Sequence, residues 1–133
     1  MYHRDYALTR RVSYPDVPTA ADATRQALAT EGFGVLSEID IQATLKAKLG
    51  VDRAPYLILG ACNPTLAHEA LEVEPTLGVF LPCNVDVFQG EDGAIYVQAI
   101  HPQAMFSLVN NAAISPIAHE VTGRLERVLS QLA

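Results

Sequence analysis

The amino-acid sequence predicts an α+β domain: a curved, mainly antiparallel sheet of four to five strands, with helices packed on one face and a long C-terminal helix. Three observations lead there. Short apolar runs of strand length are interspersed with capped helical stretches, and Glu91-Asp92-Gly93 forms a turn between two such runs. The stripe Ile117, Val121, Leu125, Val128 and Leu132 has the spacing of one helix face. The 133 residues contain no repeat, low-complexity tract or linker, so residues 1–133 read as a single domain able to bury a core without disulfides or metal.

The elements follow in order. Residues 6–13 form a strand, Tyr14-Pro15-Asp16-Val17-Pro18 turns the chain, and an Ala-rich helix runs over 20–31. Thr19 with Asp22 gives that helix a start resembling a capping box, and Gly32 stops it. Residues 35–39 are the second strand. Asp40 caps a short amphipathic helix with Ile41, Leu45 and Leu49 on one face and Gly50 at its end. Tyr56-Leu57-Ile58-Leu59, within 55–61, is too short and too uniformly apolar for a surface helix and reads as a buried strand.

Asn63-Pro64 is an N-cap followed by a proline at the first helical position, launching a helix that stops near Pro75. Residues 77–81 and 85–88 read as one strand broken at Pro82, which has no N–H to give a ladder. Residues 95–100 return as its hairpin partner. His101-Pro102 ends that strand, a helical turn passes through Met105 and Leu108, and the terminal helix spans 116–132.

The hairpin register can be deduced. A three-residue loop with Gly93 in the left-handed conformation pairs Gly90 with Ala94. Val87 then meets Val97, Asp86 meets Gln98, Val85 meets Ala99 and Cys83 meets His101, so apolar pairs share one face.

Composition limits the function. With nine Lys and Arg against fifteen Asp and Glu, the net charge is −6 and the cations are dispersed, which argues against nucleic-acid binding. Arg4, Arg10 and Arg11 read as a solvated strand edge. No apolar run reaches bilayer length and the N-terminus lacks a secretory apolar stretch, so the expectation is a cytoplasmic protein with no membrane partner. Cys62 and Cys83 are then expected as thiols. An apolar half and few charges suggest a subunit interface and make a homodimer the expected state.

Three segments carry a family likeness: GFGVLSEIDIQATLKAKLG at 32–50, ILGACNPTLAHEAL at 58–71 and LPCNVDV at 81–87. From about Tyr6 to its end the chain resembles the bacterial and archaeal family known as domain of unknown function 302. The resemblance implies a TATA-binding-protein-like α+β fold and a dimer, and no assigned activity. Some relatives resemble the chain without its cysteine pair, and His101 stands where the family likeness leads one to expect an acidic residue before Pro102.

The candidate site is built on Cys62, Asn63, Cys83, Asn84 and His101. Cys62 ends the central strand just before the Asn63 cap, where helix amides and dipole favour a thiolate. In one reading Cys62 and Cys83 line a pocket for a small molecule or bind a metal such as zinc or copper(I), with His101 or His68 completing the shell. In a second, Cys62 is a nucleophile or redox thiol with His101 or His68 as base and Asn84 as hydrogen-bond donor. In a third, both cysteines simply pack and the domain is a structural homodimer. Other features carry less. Gly32-Phe33-Gly34 lacks a third glycine, Glu69, Glu72 and Glu74 form a solvated helical face, His119 lies off the terminal stripe, and His3 falls in a fraying terminus.

Overall fold

A computed structural model describes residues 2–133. The strands are β1 (Ala7–Val12), β2 (Gly34–Asp40), β3 (Tyr56–Cys62), β4 (Cys83–Gln89) and β5 (Ile95–Ile100). They form one open sheet in the order β1-β5-β4-β3-β2, every neighbouring pair antiparallel. The last four strands are a meander, and β1 adds to its far side beside β5. Helix α1 (Val17–Thr30) therefore has to carry the chain from one edge to the other, and it lies across β2, β3, β4 and β5.

Side-chain alternation sorts the two faces. Leu59, Ala61, Cys83, Val85, Val87, Val97 and Ala99 are buried in one cluster with Ala20, Ala27 and Leu28 of α1. Val121, Leu125 and Val128 of the terminal helix α5 (Ser115–Ser130) join the same cluster. Val85, Val87 and Val97 are wholly buried, each contributing about 1.5–3 kcal/mol of apolar burial. The opposite face carries Tyr56, Ile58, Asp86, Phe88, Tyr96 and Gln98, none of which belongs to this cluster.

The hairpin has the register deduced from its turn. Gly90 N–H donates to the Ala94 carbonyl at 2.8 Å, Gly93 has φ +80°, and Val87 pairs with Val97, Asp86 with Gln98 and Val85 with Ala99. The β4–β5 ladder stops at that last pair, so the expected Cys83–His101 pairing does not form. His101 donates its N–H to the Tyr6 carbonyl at 2.9 Å, and its Nδ1 accepts from Ala104 N–H as the cap of α4 (Pro102–Phe106). Proline at the first position favours helix there and draws the chain out of the ladder.

Three other expectations are corrected. Residues 77–81 are not strand: Pro75–Phe80 is a 3₁₀ segment, because Leu77 packs with Ala70, Phe106, Ile114 and Ala118 in a second core. The first helix begins at Val17, where the Asp16 carboxylate accepts from Thr19 N–H, while Asp22 pairs with Arg25 at 2.7 Å. Helix α2 (Ile41–Leu49) has the Asp40 cap and the left-handed Gly50 stop, yet buries none of its residues. The N-terminus is also anchored: the Tyr2 ring packs on Phe88 and Tyr96, and its hydroxyl accepts from Glu91 N–H.

Candidate functional site

Cys62 is the last residue of β3 and Cys83 the first of β4. Ala61 pairs with Cys83, so the two cysteines are offset by one residue on adjacent strands, which places their Cα atoms ~6 Å apart from strand spacing and rise. Both line one apolar cavity of about 40 Å³, walled by Phe33, Leu66, Leu77 and Phe106 among others. That volume suits a few waters or a single ion and is far below the several hundred Å³ that hold a drug-sized ligand.

Asn63 also lines this cavity. Its side-chain oxygen accepts from Leu66 N–H at 3.2 Å, capping α3 (Pro64–Val73), and its amide nitrogen donates to the Glu31 carbonyl at 3.3 Å. One buried side chain thus joins the start of α3 to the end of α1. Arg124 of α5 donates to the same Glu31 carbonyl at 2.9 Å. Gly32, at φ +83°, brings the backbone against the Asn63 amide, and a Cβ there would sit 2.9 Å from its nitrogen.

The thiols differ in setting. Cys83 is buried and Cys62 half-buried, and both are reduced. Burial first, and the neighbouring Cys62 second, push the Cys83 thiol up to about 11, so at neutral pH it is protonated and a poor nucleophile.

The structure brings together Cys62, Asn63 and Cys83 but not the remaining candidates. Asn84 is exposed and, by alternation, on the opposite face of the sheet from Cys83. His68 is exposed on α3, and neither His68 nor His101 lines the cavity. Among the described residues no group of three or more His, Cys, Asp or Glu side chains is placed to hold a metal ion, so the expected shell of Cys62, Cys83, His101 and His68 does not assemble. His101 lies outside the cavity, with its Nδ1 capping α4.

Two larger hollows lie elsewhere. One of about 370 Å³ is lined by Gln103, Asn110 and Asn111, whose polar groups are largely spent internally: Asn111 donates to Val73 and Glu74, and Gln103 bonds His119 and Thr122. The other, about 380 Å³, lies beside Arg11, Tyr14 and Ile95.

Composition and motif reasoning passed over a polar cluster on the face opposite the helices. Asp86 Oδ2 accepts from Tyr56 Oη and from Gln98 Nε2, each at 3.0 Å. Burial raises the Asp86 carboxyl above its usual range. Burial first, then the Asp86 charge, push the Tyr56 phenol up to about 12. Asp86 opposite Gln98 in the deduced register was the available signal. Among the described residues no helix is long and apolar enough to cross a membrane.

An open antiparallel sheet with helices on one face and a small apolar cavity lined by Cys62 and Cys83 defines an α+β sandwich. The chain belongs to the family described as a domain of unknown function, DUF302, whose profile matches residues 8–132. It is similar to a solved structure titled as an uncharacterized conserved DUF302 protein from Bacillus stearothermophilus. The identity is 29%, the TM-score 0.90, and the match covers 98% of this chain and 100% of that one. No curated protein matches.

Proposed function

We propose that the protein is a binding domain whose site is the Cys62–Cys83 cavity and whose ligand is a single soft cation, copper(I), held between two thiolates. The observation that carries this reading is that Cys62 and Cys83, from the adjoining ends of adjacent strands, both line one apolar cavity of about 40 Å³. Thiolate sulfur selects copper(I), which accepts two-coordinate geometry, whereas structural zinc takes four ligands and no third donor of the usual kind is placed here among the described residues. Binding converts two thiols and Cu⁺ into a bis-thiolate complex of net charge −1 and releases two protons. The ten-residue helix α3 starts immediately after Cys62, so its N-terminal dipole favours that negative charge.

The test is an anaerobic competition titration against a chromophoric copper(I) chelator. One copper per chain, lost in both Cys62→Ser and Cys83→Ser, supports the reading; failure of the wild type to withdraw copper from the chelator overturns it. A nucleophilic role for Cys83 has less support, because burial holds its thiol protonated.

A separate observation favours self-association. Leu36 and Leu49 are 72% and 70% exposed, α2 buries nothing, and the outer edge of β2 has no strand partner. A second copy pairing at this edge covers both. Sedimentation equilibrium is expected to give a dimer that Leu36→Lys dissociates; a monomeric wild type contradicts it.

A further inference from the structure

The Asp86 cluster on the helix-free face has a property that decides what it can bind. A carboxylate only accepts, so the Gln98 side chain must turn its nitrogen toward Asp86, and the Tyr56 hydroxyl must give its proton to the same oxygen. These donors are therefore directed inward at Oδ2. Asp86 Oδ1 and Gln98 Oε1 accept from nothing among the described residues, and neither is a buried atom lacking a partner, so both reach the surface. What remains open is acceptor capacity beside a negative charge. Asp86 forms no ion pair among the described residues, and the Arg53 guanidinium lies over the Tyr56 ring, 5.2 Å from its centroid, instead.

The surroundings narrow the ligand. Ile58 is directly opposite Asp86 on β3 and is half-buried. A donor cation seated at Asp86 would have the aliphatic surface of Ile58 beside it.

We propose that Asp86 and Gln98 form a recognition site for a primary ammonium group carried on a short aliphatic chain. The ammonium donates to Asp86 Oδ1 and Gln98 Oε1, and the chain lies on Ile58. Charge-assisted bonds of this kind give selectivity for the cation over an isosteric alcohol or carboxylate. The site lies on the face opposite the cysteine cavity and does not depend on copper binding.

The experiment follows the Asp86 backbone N–H and Gln98 side-chain amide by NMR while n-butylammonium chloride is added to the full chain, with n-butanol and sodium butyrate as controls. Saturable shifts with butylammonium, absent with both controls, are expected. Asp86→Asn should weaken binding by about tenfold or more, while Tyr56→Phe, which removes a donor only from Oδ2, leaves it equal or tighter. No saturation with butylammonium, equal shifts with butanol, or unchanged affinity in Asp86→Asn each overturns the proposal. Should Asp86→Asn fail to fold, Gln98→Leu replaces it: several-fold weakening supports the site and unchanged affinity overturns it.

Discussion

Replacing Asn63 by alanine removes two bonds at once, and the structure separates their magnitudes. The side-chain oxygen caps α3 through Leu66 N–H, and losing a cap of this type costs about 1 kcal/mol. The amide nitrogen donates to the Glu31 carbonyl, worth about another 1 kcal/mol net. Because Asn63 is 8% exposed, water does not readily replace it. The sum, about 2 kcal/mol, corresponds to a fall in Tm of roughly 7 °C for a chain of this size. Asn63→Asp keeps the cap oxygen and adds a charge favoured by the helix N-terminus, but loses the donor, so it should cost only about half as much. Urea unfolding with a parallel calorimetric scan measures both. A loss below ~0.5 kcal/mol in the alanine variant, or equal losses in the two, would refute the claim that this residue braces α1 against α3.

Further outcomes follow from the same geometry. With its thiol raised from 9.0 to about 11, Cys83 should alkylate about 100-fold more slowly at pH 8 than in the unfolded chain, read by peptide mass spectrometry. Equal rates contradict its burial. Asp86 ionises at higher pH when folded than its usual 3.8, so wild-type stability should fall relative to Asp86→Asn as pH rises from that value through the folded pKa. A pH-independent difference between the two contradicts the shift. Gly60→Ala drives a Cβ into Ser37 Oγ and to 2.9 Å from Pro82 Cγ, and should destabilise by about 1–3 kcal/mol in urea titration. Leu125→Ala, at a wholly buried position of α5, should cost about 2–5 kcal/mol, and a loss under ~1 kcal/mol contradicts its place in the core.

Much of the fold was legible because local chemistry specifies it. Gly93 in a three-residue turn sets the β4–β5 register, and with it which residues of both strands face the helices. Asp40 and Gly50 bracket α2, and Asn63-Pro64 starts α3. What was not legible depended on tertiary contact. The short apolar run of residues 77–81 resembles a strand, but packing of Leu77 and Phe80 in the second core with Phe106 and Ala118 favours a 3₁₀ path. The apolar residues of α2 look like a core face, yet Ile41 and Leu45 are only half-buried and Leu49 is exposed. At the site, Cys62 and Cys83 converge because β3 and β4 are neighbours, a relation their sequence separation does not reveal. His101 leaves them because a following proline makes it a helix cap. Nothing in a motif marks Asp86, since its character arises from cross-strand Tyr56 and Gln98.

The central claim is that Cys62 and Cys83 together form a two-coordinate soft-metal site. Copper K-edge X-ray absorption on protein loaded anaerobically with one equivalent of copper(I) tests it most directly. Two sulfur neighbours and no nitrogen are expected, with the two-sulfur shell lost in Cys62→Ser. A shell containing histidine nitrogen, or an unchanged spectrum in that variant, would contradict it.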